Sequence, residues 1–312
     1  LILYLDVFVP PFGLLLLGAV LKHWLLPQDA IWAGIERLVF WALMPALLVS
    51  AIASVDILAL PIGRMGLAIW LSLLAGGALS LALAAAFRAD HPAATSVFQG
   101  GIRFNNLMGF AVIGGVFGAG GTALGAVATG LIVPFVQTLT TLVFALGPGN
   151  GGRLSLRRVL RQLLLNPLLL ACLAGFAVAL AGGLPHGVKP LLQSLGQASV
   201  ALGLLCVGAA LSLGALGRRL PLQLATCVIK LLLMPALTFA LGRALGLEML
   251  PLAAAVTFMA LPTATTSYVM ARAMGGDAPL MAAITSLEHL LAVATLPCWL
   301  LLLQSMLAAA GP

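Results

Sequence analysis

The sequence predicts an all-α membrane protein of ten transmembrane helices, and three observations carry that expectation. Of 312 residues, 62% are hydrophobic and 7% charged, with a mean hydropathy of +1.18. A soluble domain covers its surface with roughly 25% charged residues. The apolar residues come in blocks: 38–55, 65–87, 162–185, 190–217 and 249–271 each run without a charge for about the 18 residues or more that a helix needs to cross hydrocarbon. The blocks are also uniformly apolar rather than alternating, which excludes a barrel and leaves helices to satisfy the backbone in lipid.

Taken in order, the spans are expected at 2–21, 35–54, 64–87, 93–117, 122–146, 163–183, 188–213, 221–245, 249–273 and 278–308. The first block follows Asp6 with no Lys or Arg before it, an argument against a signal peptide, which carries a basic leader. Cys172, Cys206, Cys227 and Cys298 all lie inside apolar blocks without a CxxC or a flanking His. They read as packing residues, not as a disulfide frame or a metal site. No cofactor is expected.

Lys and Arg set the orientation. With the N-terminus outside, the odd-numbered loops hold Lys22, Arg37, Arg88, Arg153, Arg157, Arg158, Arg161, Arg218, Arg219 and Arg272. The even-numbered loops hold Arg64, Lys189 and Arg243, while Arg103 and Lys230 fall inside spans. This bias places both termini outside the cell (inner) membrane, with the polar loop 147–162 in the cytoplasm. The net charge of +7 is thereby accounted for by topology and lipid head groups, not by nucleic acid.

The loop 147–162 divides the chain into a first five-helix repeat, 1–146, and a second, 163–312. Five spans on either side of a cytoplasmic linker have opposite orientations, the arrangement of inverted-repeat transporters. Span 4 passes through Phe104, Asn105 and Asn106 and closes on Gly118, Gly120 and Gly121. Span 9 passes through Leu261, Pro262, Thr263, Ala264, Thr265 and Thr266 and closes on Gly275 and Gly276. Pro262 removes a backbone donor, and the threonines can serve either the loosened backbone or a ligand. One such kink is ordinary in a membrane helix; two at matching places read as a binding site.

Counting along the helices puts Arg103, Lys230 and Glu288 each about nine or ten residues into a span, roughly 15 Å deep at 1.5 Å per residue. A lone charge there costs about 3 kcal/mol or more, so each needs a cavity or a partner. Arg103 and Asn106, three apart, would share a helical face and hold a carboxylate by charge-assisted bonds. Lys230 and Glu288 could pair with each other. Glu288, His289 and Lys230 are also the candidates for coupling to protons or sodium. The run from Gly118 to Ala123 fits G-x-G-x-x-A, but it follows a membrane helix and not a strand, so the dinucleotide reading fails on context.

Some of these residues resemble a family. KLLLMP at 230–235 is similar to a motif in span 8 of the auxin efflux carrier family, and ALPTATTSYV at 260–269 with Gly275, Gly276 and Asp277 resembles its span 9. Pro10 and Pro11, and MPALL at 44–48, sit where similar prolines do. The resemblance covers nearly the whole chain; the family includes bacterial malonate-carrier-like proteins and the plant PIN-type auxin carriers. It implies a bile-acid-symporter-like fold, with spans 1, 2, 6 and 7 as scaffold and spans 3–5 and 8–10 as a mobile transport domain. It also implies small organic anions bound where broken spans 4 and 9 cross, and a homodimer through the scaffold. By position Asn105 and Asn106 match the break of span 4 and Pro262 that of span 9. Span 4 departs from the family in having no proline there, only Asn-Asn and then Gly109, residues that permit unwinding without forcing it.

The expected function is a secondary transporter for a small organic anion, a malonate-like carboxylate or an auxin-like monocarboxylate, working by an elevator-type shift. Its substrate site is expected at Arg103, Asn105, Asn106, Gly109, Pro262, Thr263, Thr265 and Thr266. The rivals are an anion channel, a non-transporting sensor and, further behind, a membrane-embedded enzyme. An enzyme would have to work with Glu288, His289 and aspartates scattered near loops, too dispersed to converge.

Overall fold

The computed structural model describes residues 2–54, 62–147, 164–211 and 219–310, the side chains of 2–8 and 310 excepted. No strand occurs among them. The helices are α1 (Ile2–Trp24), α2 (Asp29–Ile52), α3 (Ile62–Ala86), α4 (His91–Ile102), α5 (Asn106–Ala145) and α6 (Pro167–Leu180). They continue as α7 (Val188–Ala210), α8 (Leu220–Ala244), α9 (Met249–Ala260), α10 (Thr266–Met274) and α11 (Ala278–Ala310). Among the described residues six helical stretches are long and apolar enough to cross a bilayer: 29–52, 62–86, 91–145, 188–210, 220–244 and 278–309. Three shorter apolar helices join them, at Val9–Trp24, Pro167–Leu180 and Met249–Ala260. The polar stretch 148–162, with Arg153, Arg157, Arg158 and Arg161, lies outside the described residues, as does Arg218.

Local chemistry accounts for where these helices begin and end. Asp90 caps α4 by accepting the Ala93 N–H, and Asn166 caps α6 by accepting from Leu168 and Leu169. In both, a proline occupies the first turn, where its missing N–H is harmless. Gly275 ends α10 at φ +78°, the left-handed conformation that favours glycine. Gly118, at φ 62° and ψ −152°, kinks the run 106–145 where the sequence separates spans 4 and 5.

Two helices widen into a π turn just before a Met-Pro pair: Val39–Leu43 before Met44 and Pro45, and Ile229–Leu233 before Met234 and Pro235. A proline inside a helix cannot donate to the carbonyl four residues back and its ring crowds it. The extra residue in the turn relieves that clash. In α8 the carbonyl so released belongs to Leu231, and the Trp299 indole N–H donates to it at 3.0 Å.

The chain forms two compact units, each drawing on both halves of the sequence. Unit 1 comprises Leu1–Ile62, Asn106–Val133 and Arg161–Ala210; unit 2 comprises Gly63–Asn105, Pro134–Leu160 and Leu211–Pro312. In unit 1, α1 and α7 approach backbone to backbone. Gly18 lies against the Leu205 backbone and Gly208 against that of Leu15, where a Cβ on either glycine would collide. Met44, Leu48, Ile52, Phe110, Leu168 and Cys172 form a buried core there. In unit 2 the buried core includes Val97, Leu222, Ala271, Met281 and Ile284, and α4 packs tightly through Gly100 and Gly101. Cys172, Cys206 and Cys227 are free and buried; Cys298 is free and exposed.

Candidate functional site

Unit 2 holds two short non-helical segments, 103–105 between α4 and α5, and 261–265 between α9 and α10. Both are extended at their start: Arg103 has ψ 163° and Leu261 has ψ 145°. They are joined directly. The Asn105 N–H, which in a continuous helix would point at the carbonyl of Gly101, donates instead to Pro262 O at 2.8 Å. The Thr263 hydroxyl donates to Gln99 O at 3.4 Å, and the Phe104 and Phe258 rings meet at 5.9 Å between centroids. Backbone groups opened by one interruption are therefore satisfied by the other, as buried amides require.

The Asn105 side chain is buried and meets His289 Nε2 at 3.1 Å. His289 Nδ1 lies 2.7 Å from Thr285 O. A carbonyl only accepts, so Nδ1 carries the proton and donates, and Nε2 accepts from the Asn105 amide. This fixes one imidazole tautomer against the interruption between α4 and α5.

Around the second interruption, one helical hydrogen bond is missing and both of its halves are taken by charged side chains. In a continuous helix the Thr263 N–H would donate to Met259 O, four residues back. Instead the Glu288 Oε2 accepts the Thr263 N–H at 2.7 Å, and Lys230 Nζ donates to Met259 O at 3.2 Å. Lys230 and Glu288 are fully buried. The direct pairing that the sequence allows is not what forms: among the described residues no ion pair within 4 Å joins them. Glu288 Oε1 and both polar atoms of the Gln99 side chain are buried without a hydrogen-bond partner.

Arg103 is half-buried and is met by neutral groups. Nη2 donates to Thr266 Oγ1 at 3.0 Å; Nη1 reaches Gln137 Oε1 at 3.5 Å and Met270 Sδ at 3.2 Å. A thioether is a weak acceptor and an amide oxygen at 3.5 Å a distant one. No carboxylate lies within 4 Å of this guanidinium among the described residues. Thr266 also opens α10, whose N-cap residue Thr265 makes no side-chain capping bond. A helix N-terminus carries partial positive charge, so two positive elements converge on one place.

Arg103 and Asn106 do not share the helical face that their spacing predicts. Helix α4 stops at Ile102, so positions 103–105 leave helical geometry and the three-residue spacing no longer aligns the side chains. Asn106, the first residue of α5, accepts from Thr129 Oγ1 at 3.0 Å inside unit 1, where Gly109 is also buried. Of the residues expected at a substrate site, Arg103 and Thr266 are in contact. Asn105, Pro262 and Thr263 form the hydrogen-bonded link between the interruptions, and Thr265 sits half-buried between them and α10. Gln137, Met270 and Gln99 are not among the residues that the sequence marks for the site. For Gln137 a signal exists, since it is the one amide in the apolar run 122–146.

Residues 152–300, just under half of the chain, match the model of a family described as membrane transport protein. The matched stretch contains Lys230, Pro262, Thr266, Glu288 and His289, and leaves Arg103, Asn105 and Gln137 outside it. No curated protein matches the chain.

Proposed function

We propose that this protein is a secondary transporter of the auxin efflux carrier type, moving a small organic anion across the cell (inner) membrane. The observation that carries this reading is the Arg103 guanidinium, held among Thr266, Gln137 and Met270 without a counter-charge among the described residues. A permanent cation needs a compensating anion wherever water is scarce. A carboxylate entering here would replace two poor acceptors by a charge-assisted, bidentate partner. Thr266 would donate its hydroxyl once released from accepting, and the start of α10 would add its dipole. The candidate substrates are malonate-like dicarboxylates and auxin-like monocarboxylates.

The family match over 152–300 supports the transporter class. An elevator-type cycle requires one body to carry the whole site. Arg103, Gln137, Thr266 and Met270 all belong to unit 2, which supports that mechanism. Both termini are placed outside on the strength of the Lys and Arg bias, and Glu288 and His289 are the groups proposed to couple flux to protons.

The test is uptake or counterflow of labelled carboxylates into proteoliposomes, comparing wild type with Arg103→Ala. Saturable uptake that falls at least tenfold in the variant is the expected result. Undiminished uptake by Arg103→Ala removes the proposed site, and passive single-channel current in wild type would replace the carrier reading with a channel.

A further inference from the structure

We infer that the Lys230 ammonium is a built-in cation, occupying the place beside the α9 end where a carrier with a broken helix would otherwise bind an alkali ion. The transporter reading is needed only for the consequence, that flux requires no alkali-cation partner; the occupancy itself stands on geometry.

The missing helical bond creates the place for it. Pro262 has no N–H for the carbonyl of Phe258, and the chain turns extended at Leu261. The Thr263 N–H and the Met259 carbonyl, partners in a straight helix, are separated. The C-terminal end of α9 then carries partial negative charge and the chain leading into α10 exposes a backbone donor. Lys230 Nζ donates to the Met259 carbonyl, and Glu288 accepts from the Thr263 amide. A cation thus stands at the carbonyl end and an anion at the amide end, each where the backbone favours its sign. Carbonyls at a half-helix C-terminus, with a nearby carboxylate, are the ligands of which cation sites in broken membrane helices are made. Here the ammonium takes that role, tethered to α8.

Two further observations support a dedicated role over a packing accident. Lys230 lies within the π turn Ile229–Leu233, a local distortion that recurs at functional sites. It is also fully buried, at a depth where an unneeded lysine would be selected against on energetic grounds alone. Glu288 Oε1, meanwhile, is buried with no hydrogen-bond partner among the described residues, so the carboxylate has unused capacity for a cation contact when the ammonium is removed.

The experiment uses the full chain in detergent, unfolded by heat in NaCl, KCl or N-methyl-D-glucamine chloride at equal ionic strength. Wild type and Lys230→Arg are expected to unfold at the same temperature in all three salts. Lys230→Gln keeps a donor for Met259 O but removes the charge. It is expected to unfold about 5–10 °C lower and to recover saturably with sodium or methylammonium, but not with the bulky cation. Saturable stabilisation of wild type by an alkali ion overturns the inference. So does Lys230→Gln that matches wild type in every salt, or one that stays low whichever small cation is added. If Lys230→Gln cannot be purified folded, the wild-type and Lys230→Arg salt series decides by the same criterion. In proteoliposomes, wild-type uptake is expected to be equal with and without a sodium gradient. Uptake that requires sodium overturns the inference while leaving the transporter reading intact, whereas absence of any carboxylate uptake sinks that reading and leaves the thermal series to judge Lys230.

Discussion

The two interruptions in unit 2 solve the same problem in opposite ways. At 261–265 the broken helical bond is covered by two buried charges, Lys230 on Met259 O and Glu288 on the Thr263 N–H. At 103–105 the partners are neutral: Pro262 O takes the Asn105 backbone N–H, and His289 Nε2 takes the Asn105 side-chain amide. Arg103, at 103–105, meets a hydroxyl, an amide and a thioether, and no carboxylate among the described residues. Charge at the proline-containing break is spent on structure. Charge at the proline-free break meets only neutral side chains among the described residues. Depth in the membrane therefore assigns no role to a mid-span charge, because the backbone it meets decides that role.

Four changes would break or sharpen that contrast. The largest effect is expected from Lys230→Leu, which leaves Glu288 as a buried charge without its opposite and should lower stability by about 3–5 kcal/mol. Denaturant or thermal unfolding would measure it, and a loss no greater than that of an ordinary surface change would mean that Lys230 is not structural. Arg103→Ala should do the reverse, with carboxylate uptake falling roughly tenfold to a hundredfold, about 1.4–2.8 kcal/mol, while the unfolding temperature stays nearly constant. Gln137→Glu is the sharper version. A carboxylate beside Arg103 supplies the missing counter-charge from within, so uptake should fall about tenfold while stability holds or rises; unchanged uptake would show that Arg103 does not meet the substrate. The smallest effect belongs to Trp299→Phe, which strips the donor from the Leu231 carbonyl released by Pro235. A loss of about 1 kcal/mol is expected, read as a small drop in unfolding temperature without loss of uptake.

Much of the fold is legible in the sequence. Charge-free blocks announce helices because lipid leaves the backbone no other partner, and Pro262 announces an interruption because it lacks a donor. The kink at Gly118 and the stop at Gly275 are glycines at positive φ in places where the chain must turn. The helix stop at Ile102 is harder to place. No proline marks it, and it depends on Asn105 finding Pro262 O, a partner far along the chain. For that reason the helical spacing of Arg103 and Asn106 misleads, and Asn106 is found with Thr129 instead.

The sequence by itself determined the solvent, the helical class and the set of chemically capable residues, since these follow from composition, block length and the donors each side chain carries. It also marked Arg103, Lys230 and Glu288 as residues that must find partners. Which partner each one found was decided only by tertiary structure. Lys230 and Glu288 could as well have bonded to each other as to the severed ends of α9 and its continuation, and nothing in their spacing of 58 positions distinguishes the two. The physical reason is that a backbone carbonyl or amide becomes accessible to a side chain only after the fold has broken its own helical bond.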